Sequence, residues 1–272
     1  MLSLLINNEF SRLRSVLLGI AHSNGPVPSI EDCYDPSSLQ HVRSGTYPVE
    51  ADMCFEMAAV LAVFKKYEVQ VFHPSIIENC NQIFVRDIAF VIEDKFIKSN
   101  ILPERDQEIN ALESLFKLIP PENIIVFPEE CHVEGGDVIV CGKYIFIGVY
   151  SAPDYSDYIT ARTNLNAAKA IQQLFPEKII KTFELRKSNS DSLENALHLD
   201  CCFQPIGLGK ALIHSNGFLN RSDYDWLIDF FGKDNVFEVN KEEMTQMICN
   251  VFSISDTVVI SEQNFTRLNY WL

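Results

Sequence analysis

Two kinds of apolar pattern alternate along the chain. Short continuous or period-two apolar runs, rich in Val, Ile and Phe, read as strands: "RSVLLGI", "EVQVFH", "FVRDIAFVIEDKFIKS", "NIIVF", "DVIVCGKYIFIGV", "KIIKTFEL", "CCFQPIGLGKALIHS", "NVFEV" and "NVFSISDTVVIS". Four of them are interrupted by a turn signal (E-D-K, C-G-K, G-L-G-K, S-D-T) and are predicted to be hairpins. Between them lie segments with helical spacing: "EADMCFEMAAVLAVFKKY", "ERDQEINALESLFKL", "ARTNLNAAKAIQQLF", "RSDYDWLIDFF" and "SEQNFTRLNYWL". Ser261, with Glu262 beside it, offers a start for the last of these helices.

In order, the pattern repeats as hairpin, helix, short closing strand and connector, over 84–127, 137–183, 199–239 and from 251 onward. The first strand, its helix and "EVQVFH" form a looser version. A period of about 50 residues is a signature of repeat architectures such as propellers. An ordinary α/β or α+β sandwich accounts for the pattern alone equally well. The last unit stops at Leu272, inside its helix. In a propeller that leaves the last blade incomplete, or completed by another chain. An unpaired edge invites a second copy, so a homodimer is one expectation.

Composition narrows the picture. With 272 residues, 47% hydrophobic and 22% charged, the chain can bury a substantial core in a single domain spanning 1–272. A mean hydropathy of +0.03 argues against disorder. The net charge of −15 argues against nucleic acid or an anionic membrane as the main partner and suits a small cationic substrate. "MLSLLINNEF" has no basic leader and too short an apolar run for a signal peptide, and no stretch of about 18 apolar residues predicts a membrane span. The eight cysteines form no C-x-x-C, and Cys201 and Cys202 are adjacent. Neither a disulfide framework nor a zinc site is expected, so the thiols read as reduced and the protein as cytoplasmic. His132 beside Cys131 falls far short of a zinc signature. No metal or other cofactor is called for.

The informative polar residues stand at the unit entrances. "FVRD" ends in Asp87, "VEGGD" in Asp137, "LHLD" in Asp200 and "MICN" in Asn250. A ring of units would bring Asp87, Glu134, His198 and Asp200 to one cavity. Alternate residues of a strand share a face, so His198 and Asp200 are expected to point the same way. Taken singly, each has an ordinary explanation: aspartates before strands are usually turn or cap residues, and a lone histidine is usually structural. Their joint occurrence favours chemistry.

"FVRD", "VEGGD" and "NALHLD", in this order and spacing, resemble the guanidine-modifying superfamily, the five-bladed α/β propellers also called penteins. Its members include arginine deiminases, dimethylarginine dimethylaminohydrolases and amidinotransferases. The resemblance covers nearly the whole chain, including "YIFIGV" and "ARTN". It implies that two carboxylates clamp a planar guanidinium, a cysteine thiolate attacks its central carbon, and a histidine protonates the departing amine. Water or an amine then resolves the covalent thiouronium. By resemblance, Asp87 and Asp200 bind the guanidinium, His198 is the general acid/base and Glu134 orients it. Arg162 and Arg105 match positions that hold a substrate carboxylate. Gly135 and Gly136 would let the backbone pass close to the substrate, and Asp137 would stabilise the turn.

One departure bears on activity. The nucleophilic cysteine of that superfamily lies beyond the last helix and its closing strand, and no counterpart precedes Leu272. Cys249 is the nearest substitute, but its neighbour Asn250 takes the place of Asp87 and Asp200, which turns Cys249 toward packing between units. This chain alone is expected to bind guanidino compounds weakly and to turn over essentially none, as a truncated form or a pseudoenzyme. "VRD" is closer to the deiminases and amidinotransferases, while "ARTN" and the compact length are closer to the hydrolases. A non-catalytic ligand- or partner-binding propeller is the alternative, and a structural α/β protein whose acids are only caps is a third reading.

Overall fold

The computed structural model describes residues 2–272, and in it the apolar runs become short strands gathered into five separate small sheets. The chain enters through β1 (Ser15–Leu17), passes helices α1 (Pro36–Ser44) and α2 (Glu50–Lys66), and returns as β2 (Gln70–Phe72), parallel to β1. The next unit comprises the one-turn helix α3 (Val85–Ile88), strands β3 (Ala89–Ile92) and β4 (Lys95–Lys98), helix α4 (Glu113–Phe116) and strand β5 (Ile124–Val126). It is followed by β6 (Val138–Cys141), β7 (Tyr144–Val149), α5 (Leu165–Leu174) and β8 (Ile179–Glu184). Then come β9 (Phe203–Pro205), β10 (Ala211–Ile213), α6 (Arg221–Phe231) and β11 (Val236–Glu238). The chain closes with α7 (Lys241–Thr245), β12 (Phe252–Ser255), β13 (Val258–Ile260) and α8 (Thr266–Trp271).

The three middle units share one construction. Two strands form an antiparallel hairpin, and a third joins the second in parallel after the helix. The helix lays its apolar stripe on its sheet: Ala167, Ala168 and Ile171 of α5 pack with Val138, Ile145 and Ile147. The first and last strand pairs come together at the remaining position. Leu13 N donates to Ile254 O at 2.8 Å, and Val16, Val71, Val258 and Ile260 pack around Phe64.

The unit entrances differ from the strands expected there. Each is a single tight turn closed by a backbone bond three residues back: Asp87 N to Phe84 O (3.0 Å), Asp137 N to Glu134 O (3.0 Å), Cys201 N to His198 O (3.2 Å) and Asn250 N to Met247 O (2.9 Å). Aspartate and asparagine suit such turns, which explains their recurrence. His198 and Asp200 therefore do not share a strand face, and their relation is set by the turn.

Other boundaries moved as well. "PERDQEINAL" forms a 3₁₀ stretch before α4, the "ART" of "ARTN" lies outside α5, which starts after the cap Asn164, and α8 begins at Thr266 rather than near Ser261. Among the described residues no helix is long and apolar enough to cross a membrane.

Candidate functional site

The entrance turns of the middle units deliver Asp87, Glu134, His198 and Asp200 to one buried cluster, all with less than a tenth of their surface exposed. His198 Nε2 lies 2.8 Å from Glu134 Oε2, and its Nδ1 lies 3.7 Å from Asp87 Oδ1. His198 and Asp200 also approach each other, with Cys201 beside them and the polar atoms of all three within 4.8 Å.

The Gly-Gly pair makes this packing possible. A Cβ on Gly136 would stand 2.8 Å from His198 Cγ and Nδ1, and one on Gly135 would stand 2.0 Å from Arg86 O. The close approach the glycines permit within the chain is thus to the histidine ring and a neighbouring turn. Asp137 reaches from its own turn to the next one, where its Oδ1 accepts Leu199 N at 2.9 Å. Lys187 Nζ donates to Ala196 O (2.9 Å) and Leu197 O (2.8 Å), fixing the chain on the other side of His198.

The arginines are placed less simply. Arg162 does not stand free for a substrate carboxylate. Its Nη1 is 3.2 Å from both oxygens of Glu134, its Nε donates to Ile159 O (2.7 Å) and its Nη2 to Tyr34 O (2.9 Å). A buried carboxylate needs compensation, and Arg162 supplies it for Glu134. Arg105 reaches into the cluster: Nη1 is 2.8 Å from Asp87 Oδ2, while Nε and Nη2 grip Glu108 at 2.7 and 3.0 Å. On the other side, Arg86 Nε is 2.9 Å from Asp200 Oδ2, and its Nη2 donates to Glu9 Oε1 (3.0 Å) and Val138 O (3.1 Å). Of the two acids expected to bind a guanidinium, Asp87 accepts a hydrogen bond from Arg105, while Asp200 stands at ion-pair distance from Arg86 Nε, which makes no hydrogen bond. Sequence reasoning missed Glu9 and Glu108. The spacing Arg105-x-x-Glu108 was a readable signal, because residues three apart share a face of a helical turn. Glu9 left none.

The electrostatics follow from this packing. Burial pushes the Glu134 carboxyl up, but the Arg162 charge and the His198 hydrogen bond outweigh it and hold Glu134 well below the usual range. Burial alone would lower His198. The negative charge of Asp87 and the bond to Glu134 reverse that and push the imidazole up to about 9, so it is an imidazolium at neutral pH. Burial raises Asp200 to about 6, against the pull of Arg86. A cation would have to compete with Arg105 and Arg162 for the carboxylates of Asp87 and Glu134, so the cluster is poorly suited to a metal.

The thiols near the cluster are not activated. Cys201 Sγ lies 3.7 Å from Asp200 Oδ1, and burial together with that carboxylate pushes its pKa far up. Cys249 is fully buried among Leu212, Phe237 and Val251, and burial raises it likewise. Asn250 instead turns toward the cluster and donates to Asp200 O at 3.2 Å.

No family model matches the chain. An uncharacterized Bacillus subtilis (strain 168) protein, YkgA, is 29% identical over 192 residues, 70% of this chain. The match spans only 59% of that relative's length. Among solved structures, the Pseudomonas aeruginosa dimethylarginine dimethylaminohydrolase complexed with citrulline superposes with a TM-score of 0.69 at 16% identity, covering 96% of this chain and 88% of that one. The N-terminal domain of ArgZ, a cyanobacterial arginine dihydrolase bound to product, gives a TM-score of 0.75 at 14% identity, covering 95% and 86%. The inosamine-phosphate amidinotransferase of Streptomyces griseus gives 0.73 at 14% identity, covering 100% and 88%. These likenesses define a class of fold. The chain has the fold of the guanidine-modifying, or pentein, superfamily.

Proposed function

We propose that this chain binds small guanidino compounds of the arginine type at the cluster around His198. The observation that carries the reading is that Asp87 and Asp200 flank His198, each facing an arginine nitrogen of this chain, at 2.8 and 2.9 Å. Two carboxylates so placed offer acceptors for the planar donor edges of a guanidinium. In the catalytic form of the reading, a nucleophile adds to the guanidinium carbon and the C–N bond to the departing amine breaks. His198, charged at neutral pH, gives that amine its proton, and Glu134 keeps the ring oriented. Deimination, release of a dimethylamine and amidino transfer share these steps. The neighbours' names, spanning a hydrolase bound to citrulline, a dihydrolase and an amidinotransferase, support the class rather than one reaction.

The binding-only reading is favoured by one specific observation: Cys201 and Cys249, the thiols next to the cluster, are buried and held protonated. Binding is therefore expected to exceed turnover. The fold shared with the solved neighbours supports a five-bladed α/β propeller in one domain over 1–272, and the free cysteines suit a reducing, cytoplasmic setting.

Calorimetric titration with arginine and methylated arginines, alongside assays for citrulline, ornithine and amine release, tests the reading. Binding should be measurable in the wild type and lost in Asp87→Asn, without product formation. Robust product formation would overturn the binding-only form. Failure of every guanidino compound to bind would overturn the reading itself.

A further inference from the structure

We infer that His22, Glu50 and Cys54 form a binding site for one divalent metal ion of the zinc type. The site lies apart from the His198 cluster and is independent of the guanidino reading.

Glu50 opens α2 and Cys54 follows one turn later, so the two side chains share a face of that helix. His22, in the segment after β1, meets that face. Its Nδ1 lies 3.4 Å from Glu50 Oε1, and one ligand atom from each of the three residues lies within 4.8 Å of the others. A tetrahedral zinc ion, with bonds of about 2.0–2.3 Å, holds its ligand atoms about 3.3–3.8 Å apart. The His22–Glu50 edge already has that length, and the His22 side chain, 73% exposed, has room to close the rest.

Two further features separate this trio from a chance surface grouping. Glu50 is oriented by the loop that carries His22: Asn24 N donates to its Oε2 at 3.0 Å, which leaves Oε1 to the imidazole. Metal-bound carboxylates are commonly held by such an outer hydrogen bond. The loop is itself pinned, with Cys80 N donating to Ser23 O (3.0 Å) and Asn79 N to Ser23 Oγ (3.2 Å). Second, among the described residues no lysine or arginine pairs with Glu50, whereas Arg105 and Arg162 occupy the acids around His198.

An imidazole, a thiolate and one carboxylate favour zinc and its neighbours over magnesium or calcium, which prefer oxygen ligands. Three protein ligands leave a fourth position for water. Binding requires a neutral imidazole and a thiolate, so the Cys54 thiol gives its proton to solvent as the sulfur–metal bond forms. The ion fastens to α2 the segment that runs on to Tyr34, whose carbonyl accepts Arg162 Nη2 at 2.9 Å.

Zinc titration of the full chain against a chromophoric chelator, together with cobalt(II) absorption, tests this. One equivalent of zinc should bind, more tightly at about pH 8 than at about pH 6, and magnesium should not compete. Cobalt should give a thiolate-to-metal charge-transfer band and the intense visible bands of a tetrahedral ion. His22→Ala and Cys54→Ser should each weaken zinc about hundredfold or more, beyond what loss of an outer contact usually costs. His22→Ala alters an exposed side chain and decides the matter alone should Cys54→Ser disturb α2. Cys33→Ser, which removes another partly exposed thiol of the same segment, should change nothing. Undiminished zinc affinity in either ligand variant would place the ion elsewhere and overturn the inference. Failure of the wild type to bind zinc, or a cobalt spectrum without the thiolate band, would do the same.

Discussion

The centre of the molecule and its aromatic flank bury side chains by opposite means. At the centre, Asp87, Glu134, His198 and Asp200 are interleaved with Arg86, Arg105 and Arg162, and most polar edges have an assigned partner. On the flank of β7, β8 and α6, Phe146 packs against Tyr144, Phe183, Phe203, Trp226 and Phe230 at centroid distances of 5.5–5.9 Å. Apolar contact is non-directional and scales with area, whereas buried charges repay their desolvation only with correct partners. The flank can therefore supply stability that the centre consumes in holding its geometry.

The comparison breaks first at Phe146, which is fully buried. Phe146→Ala should lower unfolding stability in urea by about 4 kcal/mol, from lost transfer energy and an unfilled cavity. Guanidino binding by the molecules that remain folded should be unchanged. A loss below about 1 kcal/mol would mean that the flank is not what carries the fold.

At the centre, Glu134→Gln removes a charge but little volume. It leaves Arg162 buried with no full counter-charge, and stability should fall by about 3 kcal/mol. The same change takes a carboxylate from His198, whose pKa should drop from about 9 toward its ordinary value in an NMR titration. Phe146→Ala should leave that pKa alone. Should both variants move it alike, the two regions are coupled and the division between them fails.

The two regions also differed in how much of them could be read from the sequence. The flank was legible, because "DVIVCGKYIFIGV" and "KIIKTFEL" alternate as β6, β7 and β8 do, and Gly142 takes the positive φ of 62° that the hairpin turn requires. The four central residues were legible as a set, through their places at the unit entrances and through their resemblance, but the strand-face argument for His198 and Asp200 failed. His198 and Asp200 meet across a 3₁₀ turn, which no alternation rule describes. Arg105 and Arg162 were named, while their partners inside the chain depend on folded distances across 18 and 28 positions. Local signals for two further helices went unread. Asp35 before Pro36, with Gly45 at φ 69°, brackets α1, and Asn240 with Glu243 forms a capping box on α7.

Proton linkage separates the regions more finely. The folded pKa of His198 is raised to about 9 from an unfolded value near the ordinary 6.5. The folded state therefore binds the proton more tightly. Its contribution is fully present below about pH 6.5 and is lost as pH rises through about 9. Between about pH 7 and 9 the wild type should lose about 2 kcal/mol, and His198→Asn should show no such fall. Asp200, raised to about 6, shifts stability the same way but completes its change at lower pH, outside this window. Phe146→Ala should run parallel to the wild type.

The smallest effect isolates what burial adds to one chemical contact. Glu243 also pairs with an arginine, Arg267, but takes its Nε (2.8 Å, to Oε1) and Nη2 on separate oxygens where Glu134 takes Nη1 of Arg162 alone, and the Arg267 side chain is 52% exposed. Glu243→Gln keeps one oxygen that can accept from Arg267 Nη2 and from Asn240 N in the capping box, so the charge and the contact to Arg267 Nε are lost. Water already screens this pair, and Arg267 also lies over the Phe237 ring at 3.9 Å, a contact the change does not touch. The expected loss is about 0.5 kcal/mol, shrinking further as salt is added. The loss from Glu134→Gln should hardly respond to salt, because ions cannot enter the buried cluster. Equal costs for the two substitutions, or equal salt dependence, would mean that the central carboxylate is solvated in solution and that burial does not set its charge.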